Sequence, residues 1–407
     1  MRSLLFFVLS SFVVLLPQSV MAESVLRQAK DNIKSGKNLE QTTQQLLEYV
    51  AKSETRHKDQ VEGYVLAAQC SQKINEQENT KLYLNQPYDT ARFFNSMLSM
   101  FDLFERADSA SRMPNEKGKL KPAPNKRWRT TLLDYRHNLL NGGKWNFRHD
   151  NYAEAFVFFD TYLDCAERKM FVEDDFMKND TLMPEAAYLA TVSAHQSNNP
   201  DGVIRFAKLA QKAGMKSYLM QELLCRAWAA KGDMMMQGTE MMCGLRQYPL
   251  HPYFFSNVID YLAATNQLDL GLAIADSMIA HNDTVPLFWY AKSLILIKQK
   301  RDREAIDVCD SCLALDDRYV DAYYNKGIAS LNLAVQYEAE ACTDLTNPRC
   351  QRDREIIRSL YLLAKLPMER VRALAPDDVQ RWAAPLYRIY LHLNMGKEFE
   401  EMDRLLK

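Results

Sequence analysis

Two sulfur motifs carry the most chemical promise in this chain. Cys309-x-x-Cys312 has the spacing of a redox-active pair or of half a metal site. Redox use requires a preceding strand and βαβ context, and neither surrounds it. A zinc site requires two further ligands, and no nearby CxxC or HxxxH supplies them. Both cysteines fall inside an apolar helical pattern, where Cys behaves as a small apolar side chain, so the expectation is core packing. MMMQGTEMM, from Met234 to Met242, offers thioethers that could hold Cu(I). Methionine also fills irregular helical cores, and the expectation is again packing. The seven histidines, His57, His137, His149, His195, His251, His281 and His392, form no HExxH and no close pair. There is no GxSxG elbow, and Gly142-Gly143 lacks the other glycines, the Lys and the strand of a phosphate loop. The chain therefore reads as having no catalytic residues, no metal ligands and no cofactor. An enzyme with an unrecognised site is the weakest of the readings kept open.

The elements that would position any site are helices. Pro286 to Asn325 reads PLFWYAKSLILIKQKRDREAIDVCDSCLALDDRYVDAYYN, two helix-length apolar patterns split by KQKRD. Trp289 is answered by Tyr323, Ser293 by Gly327 and Ala305 by Ala339, each 34 residues on. Stepping by 34 from Ala305 gives the column Val203, Gln237, Gly271, Ala305 and Ala339. Other columns are Ala187, Gln221, Phe255, Trp289 and Tyr323, and Ala194, Trp228, Leu262, Leu296 and Ser330. The breaks Asn198-Asn199, Gly232-Asp233, Asn266-Gln267 and Lys300-Arg301 keep the same phase. This pattern resembles the tetratricopeptide repeat, a helix pair that stacks on copies of itself. Departures are Gln237 at a small-residue position and Asp283 and Asp317 where a closing Pro is usual. The resemblance implies an all-α fold, an α-solenoid of stacked antiparallel helix pairs.

Along the chain, residues 1–22 read as a signal peptide. Arg2 is the basic start, Leu4 to Leu16 the apolar run and Val20-Met21-Ala22 the cleavage site. The predicted location is exported, either periplasmic or secreted, with association to the cell envelope left open. Residues 23–107 are an N-terminal helical region of degenerate repeats, with Tyr88, Ala91, Phe94, Leu98, Phe101 and Phe104 on one helix face. Residues 108–128 form a basic loop containing Pro and Gly, with Lys117, Lys119, Lys121, Lys126 and Arg127. A helix pair spans 129–169, with Gly143 and Ala155 as its close-packing residues. An acidic insertion, FVEDDFMKNDTLMP, occupies most of 170–183. The repeats in register run over 184–353, the fifth of them closing poorly, and 354–407 holds a last helix pair, broken at Gly396-Lys397, and a cap. Cys342 and Cys350 flank TDLTNPR and are the best candidates for a disulfide among eight cysteines.

In members of this family the first helices of each pair line a concave groove that takes a protein or peptide partner. Carried over, the groove-facing positions here are Tyr188, Val192 and His195, then Glu222 and Arg226, Tyr253 and Asp260, Tyr290 and Leu294, and Tyr324 and Ile328. The partner-binding residues expected are Tyr188, His195, Glu222, Arg226, Tyr253, Asp260, Tyr290 and Tyr324. Tyrosine presents contact area with a polar tip at low entropic cost, which suits recognition. The Lys and Asn clamp of chaperone-tail binders is absent, because Val192, Arg226, Asp260, Leu294 and Ile328 stand there. A net charge of -1 disfavours nucleic acid, and no second apolar run predicts membrane insertion after signal cleavage. The function implied is an exported, non-enzymatic interaction scaffold. The alternative is an outer-surface carbohydrate-binding module of the nutrient-uptake type, its aromatic residues stacking on sugar rings.

Overall fold

The computed structural model describes residues 18–52, 54–120, 126–214, 216–343 and 346–407. The apolar run of the expected leader and Lys121 lie outside them. The described residues contain no strand, and none of their helices is long and apolar enough to cross a membrane. The chain divides into two compact units, Met1–Asp233 and Met234–Lys407.

In the first unit the helices are α1 (Gln18–Ser35), α2 (Leu39–Val50), α3 (His57–Tyr83), α4 (Thr90–Ser111), α5 (Lys126–Arg148), α6 (Tyr152–Asp164), α7 (Phe176–Asn179), α8 (Met183–Gln196), α9 (Pro200–Ala210) and α10 (Ser217–Ala230). In the second they are α11 (Met234–Gln247), α12 (Pro252–Ala264), α13 (Leu268–His281), α14 (Pro286–Lys298), α15 (Asp302–Leu315), α16 (Val320–Glu340), α17 (Pro348–Leu374), α18 (Val379–His392) and α19 (Gly396–Leu406). Sequence neighbours pack on one another in each unit, short α7 apart, across which α6 packs on α8. In the second unit the alternate helices α12, α14, α16 and α18 also touch in succession.

The repeat is built into the joint inside each pair. Asn198, Gly232, Asn266 and Lys300 all adopt positive φ, at 55°, 73°, 57° and 60°. Each follows the helix end, and the next residue's N–H reaches back to a carbonyl of the last turn. These bonds run from Asn199 to Ala194 (2.8 Å), Asp233 to Trp228 (3.1 Å), Gln267 to Leu262 (2.8 Å) and Arg301 to Leu296 (2.9 Å). This left-handed cap satisfies carbonyls the helix leaves open, and at Asn198, Asn266 and Lys300 it turns the chain into its partner helix. Gly and Asn tolerate the conformation best, which explains three of the four residues. A second bond recurs at two of the links between successive pairs. Trp289 Nε1–H donates to the Asp283 carbonyl (2.8 Å), and Tyr323 O–H donates to the Asp317 carbonyl (3.1 Å). The aspartates standing where a closing Pro is usual thus serve through their backbone.

The register slips locally where a small residue is needed. Gln237 is half-buried, and its neighbour Gly238 makes the close approach instead. A Cβ on Gly238 would lie 2.4 Å from the Tyr261 ring. Gly202, one residue before Val203, does the same against Phe156 at 2.6 Å. The largest departure is the fifth pair. No joint forms near Ala334, and α16 continues to Glu340, leaving Ala339 exposed on the first helix rather than packed in the second. Two side chains of the prolonged helix, Asn332 (3.0 Å) and Gln336 (3.1 Å), donate to the buried carboxylate of Asp302 on α15. An early turn would withdraw Gln336 from a buried charge, which is costly. In the last pair the left-handed residue is Asn394 (φ 57°), so the break lies two residues before the expected Gly396-Lys397.

In the first unit α4 buries Met97, Met100, Phe101, Leu103, Phe104 and Ala107. Ala91, expected on the inner face, is exposed, so that face begins a turn later. The start of the basic loop is fastened down. Asn115 Oδ1 accepts the N–H groups of Lys117 and Lys119, both at 3.0 Å, and Glu116 caps the N-terminus of α3 through the His57 N–H. The acidic insertion folds into a 3-10 turn, Lys169–Phe171, and α7. Two arginines of α5 hold it. Arg129 grips Asp174 through two bonds (2.7 and 3.0 Å), and Arg136 Nη1 reaches Asp180 Oδ2 at 2.6 Å. The Arg136 guanidinium lies between the rings of Tyr162 (3.8 Å) and Phe176 (3.7 Å), and the Tyr162 hydroxyl donates to the same Asp180 oxygen (2.6 Å).

Candidate partner-binding face

The sequence-expected site residues fall on first helices of pairs, but they behave differently. In the first unit Tyr188 on α8 is half-buried and packs against the core, while His195 in the last turn of α8 is exposed. Glu222 and Arg226 on α10 pair with each other one turn apart, Arg226 donating at 2.6 and 3.0 Å. In the second unit Tyr253 on α12 is half-buried and meets Phe254 edge to face at 5.3 Å.

The other three are brought into one neighbourhood. Tyr290 on α14 packs its ring on Tyr319 at 5.6 Å. Burial raises its pKa, as do the negative charges of Asp321 and Asp260, while Arg381 opposes them. Arg381, from α18, forms an ion pair with Asp321 and lies over the Tyr324 ring at 4.4 Å. Asp260 on α12 is exposed as a residue. Desolvation of its carboxyl still raises its pKa, and the charge of Lys298 lowers it. Asp260, Tyr290, Tyr324 and Arg381 thus stand on four first helices that touch in succession. They form a half-open row of aromatic rings with an acid at one end and a guanidinium at the other. Asp321, Tyr319 and Arg381 were missed in the sequence. The long α16 and α17 displace α18 from the 34-residue step, so no column pointed to Arg381.

The sulfur motifs lie elsewhere. Cys309 and Cys312 are both fully buried in α15. Burial raises the Cys309 thiol to about 11 and that of Cys312 to about 12, and Cys312 donates to the Pro286 carbonyl at 3.2 Å. Thiols held protonated in this way are poor nucleophiles and poor metal ligands. The methionine stretch only partly packs. Met241 is buried, whereas Met234 and Met235 are 57% and 70% exposed at the start of α11, contrary to the core expectation. The periodicity is helical, but the first turn of α11 faces solvent. Cys350 is buried in the first turn of α17, and Cys342 is half-buried before it, its N–H bonded to Asp353.

No protein-family model and no curated protein matches this chain. Solved structures do. The C-terminal part of a TPR repeat-containing protein from Cytophaga hutchinsonii is 13% identical over 60% of this chain and 97% of its own, with a TM-score of 0.36. The P58(IPK) TPR domain is 15% identical over 92% and 99%, with a TM-score of 0.29. Naa15/Naa10 bound to HypK is 13% identical over 94% and 66%, with a TM-score of 0.38. At these levels of likeness the fold rests on the chain's own geometry. The in-phase left-handed joints, the repeated aromatic-to-carbonyl bonds and the paired helices make this an all-α fold of stacked antiparallel helix pairs, the fold class of tetratricopeptide repeats.

Proposed function

We propose that this chain is an exported, non-enzymatic scaffold that binds a protein partner as a peptide laid across the first helices of its second unit. The observation that carries this reading is the row Asp260, Tyr290, Tyr324 and Arg381. Half-exposed tyrosines flanked by opposite charges offer stacking area, hydrogen bonds and a preferred peptide direction. No described group of side chains around them has a nucleophile paired with a base, so the row suits holding rather than transforming a ligand. The leader motif with Arg2, Leu4 to Leu16 and Val20-Met21-Ala22 supports export. N-terminal sequencing of the mature chain tests that part, and an intact Met1 would overturn it.

For the binding face, the test is crosslinking in the native envelope followed by mass spectrometry, comparing wild type with Tyr290→Ala/Tyr324→Ala. The expected result is a protein crosslink that the double variant loses, with helicity and a cooperative melt retained. Loss of the cooperative melt would make the tyrosines core residues. Glycan binding with no protein crosslink would favour the carbohydrate-binding alternative.

A further inference from the structure

The solvent side of α17 does not look like the solvent side of its neighbours. The inner side, Tyr361, Ala364, Met368 and Val371, is buried against α16 and α18. On the opposite side Ile356, Leu362, Leu363 and Leu366 are 42%, 50%, 41% and 67% exposed. Their spacing places them on adjoining rows over about three helical turns. Single exposed aliphatic residues are ordinary, but a contiguous patch of them marks an interaction surface. Beside it lies a hollow of 570 Å³ walled by Arg352, Glu355, Ile356, Ser359, Leu360 and Leu363. Ser359 is small and exposed among them, which leaves room for side chains from another helix.

Charge says which kind of helix. Arg349 on the same helix is tied to Asp353 (3.3 Å), and Lys365 to Glu369 (3.7 Å). Arg352, Arg358 and Arg370 are exposed and meet no carboxylate among the described residues, although Arg370 lies over the Tyr323 ring at 5.8 Å. Glu355 is the one exposed carboxylate among them, so the flanks carry a positive excess. A second copy docking through this face would set guanidinium groups against guanidinium groups, which is repulsive.

We propose that the outer face of α17 is a second docking surface, made for an amphipathic helix with an apolar ridge and acidic flanks. The apolar ridge covers Ile356, Leu362, Leu363 and Leu366, and the acidic flanks pair with Arg352 and Arg358. The mode is a helix read by anchors at i, i+3, i+4 and i+7. This surface is separate from the tyrosine row and does not depend on it.

The test uses two fluorescein-labelled synthetic helices that share a Leu ridge of that spacing. One carries Glu on both flanks and the other Lys. Anisotropy titration against the full chain is expected to favour the Glu peptide by about tenfold or more, the equivalent of ~1.4 kcal/mol. Arg352→Glu/Arg358→Glu should reverse the preference. Leu362→Ser/Leu366→Ser should abolish binding while leaving the melting curve unchanged, because both side chains are exposed. Tyr290→Ala/Tyr324→Ala should leave it intact, so failure here and failure of the tyrosine row are told apart. Equal binding of both peptides, or of neither, overturns the proposal. So does a concentration-dependent dimer in sedimentation that Leu362→Ser/Leu366→Ser removes, which would make the occupant a second copy. Flotation with phosphatidylglycerol vesicles, lost in the same variant, would make it a lipid surface and overturn it equally.

Discussion

The first unit and the second each set an arginine over a tyrosine beside an aspartate, with opposite results. Arg136, Tyr162 and Asp180 are closed in: the arginine and aspartate side chains are 8% and 13% exposed, and Phe176 covers the guanidinium. Arg381, Tyr324 and Asp321 are open, at 27% and 42% for the two ions. The Tyr162 hydroxyl is spent on Asp180. Tyr324 shows no such bond among the described residues. The comparison teaches that residue types do not assign a role. The same three side chains fasten an insertion where water is excluded and stay open to solvent where it is not.

Breaking the closed cluster should have the largest effect. Arg136→Met leaves the Asp180 carboxylate largely buried without its counter-ion and should cost ~3–5 kcal/mol, read by urea unfolding. Arg381→Met, in the open cluster, should cost ~1 kcal/mol or less. Equal losses would erase the distinction. Next comes the hydroxyl. Tyr162→Phe removes a hydrogen bond to a charged group and should cost ~1.5–3 kcal/mol. Tyr324→Phe should stay within about 0.5 kcal/mol.

How far this was legible in the sequence follows from the same pair of clusters. The helix pairs, their phase and their joints were readable, because Asn198, Gly232 and Asn266 announce a turn through backbone preference alone. The tyrosines Tyr290 and Tyr324 were readable from the period. Arg381 was not, because its placement depends on the lengths of α16 and α17. The length of α16 in turn depends on tertiary contacts, among them the bond from Gln336 to buried Asp302. The clamp on the insertion was hidden for a similar reason. Arg136 and Asp180 are 44 residues apart, outside any repeat. Glycine contacts showed the finer limit: Gly202 and Gly238 each perform the job expected one residue away.

The smallest effects concern protons, and they carry opposite signs. Burial alone would raise the pKa of Asp180, but hydrogen bonds from Tyr162 and Arg136 outweigh it and hold the carboxyl below its ordinary value. Its contribution to stability is present above the unfolded-state pKa and is lost as pH falls through the lower folded one. Asp260 is raised by desolvation, so its folded form takes up a proton more readily than the unfolded chain. Its contribution is present below the unfolded-state pKa and fades as pH rises through the folded one. Urea midpoints measured from about pH 3 to about pH 7 should therefore lose part of their acid-side fall in Asp180→Asn. In Asp260→Asn they should rise slightly on the neutral side. Glu78 gives an internal reference in the first unit. Despite complete burial, bonds from Lys81, the Asp89 N–H and Arg92 hold it at about 2. Glu78→Gln should remove stability above the ordinary glutamate range and flatten the loss between that range and about pH 2.

The left-handed joints also make the chain divisible. The segment from Asn266 to Lys300 begins and ends in the same backbone conformation, at φ 57° and 60°. A splice that removes or duplicates residues 267–300 meets matching geometry at both cuts, as a link does in a chain. Lengthening or shortening by whole helix pairs is therefore open to this protein up to α15. Past α15 the equivalent cut is missing, because α16 runs through the expected joint to Glu340.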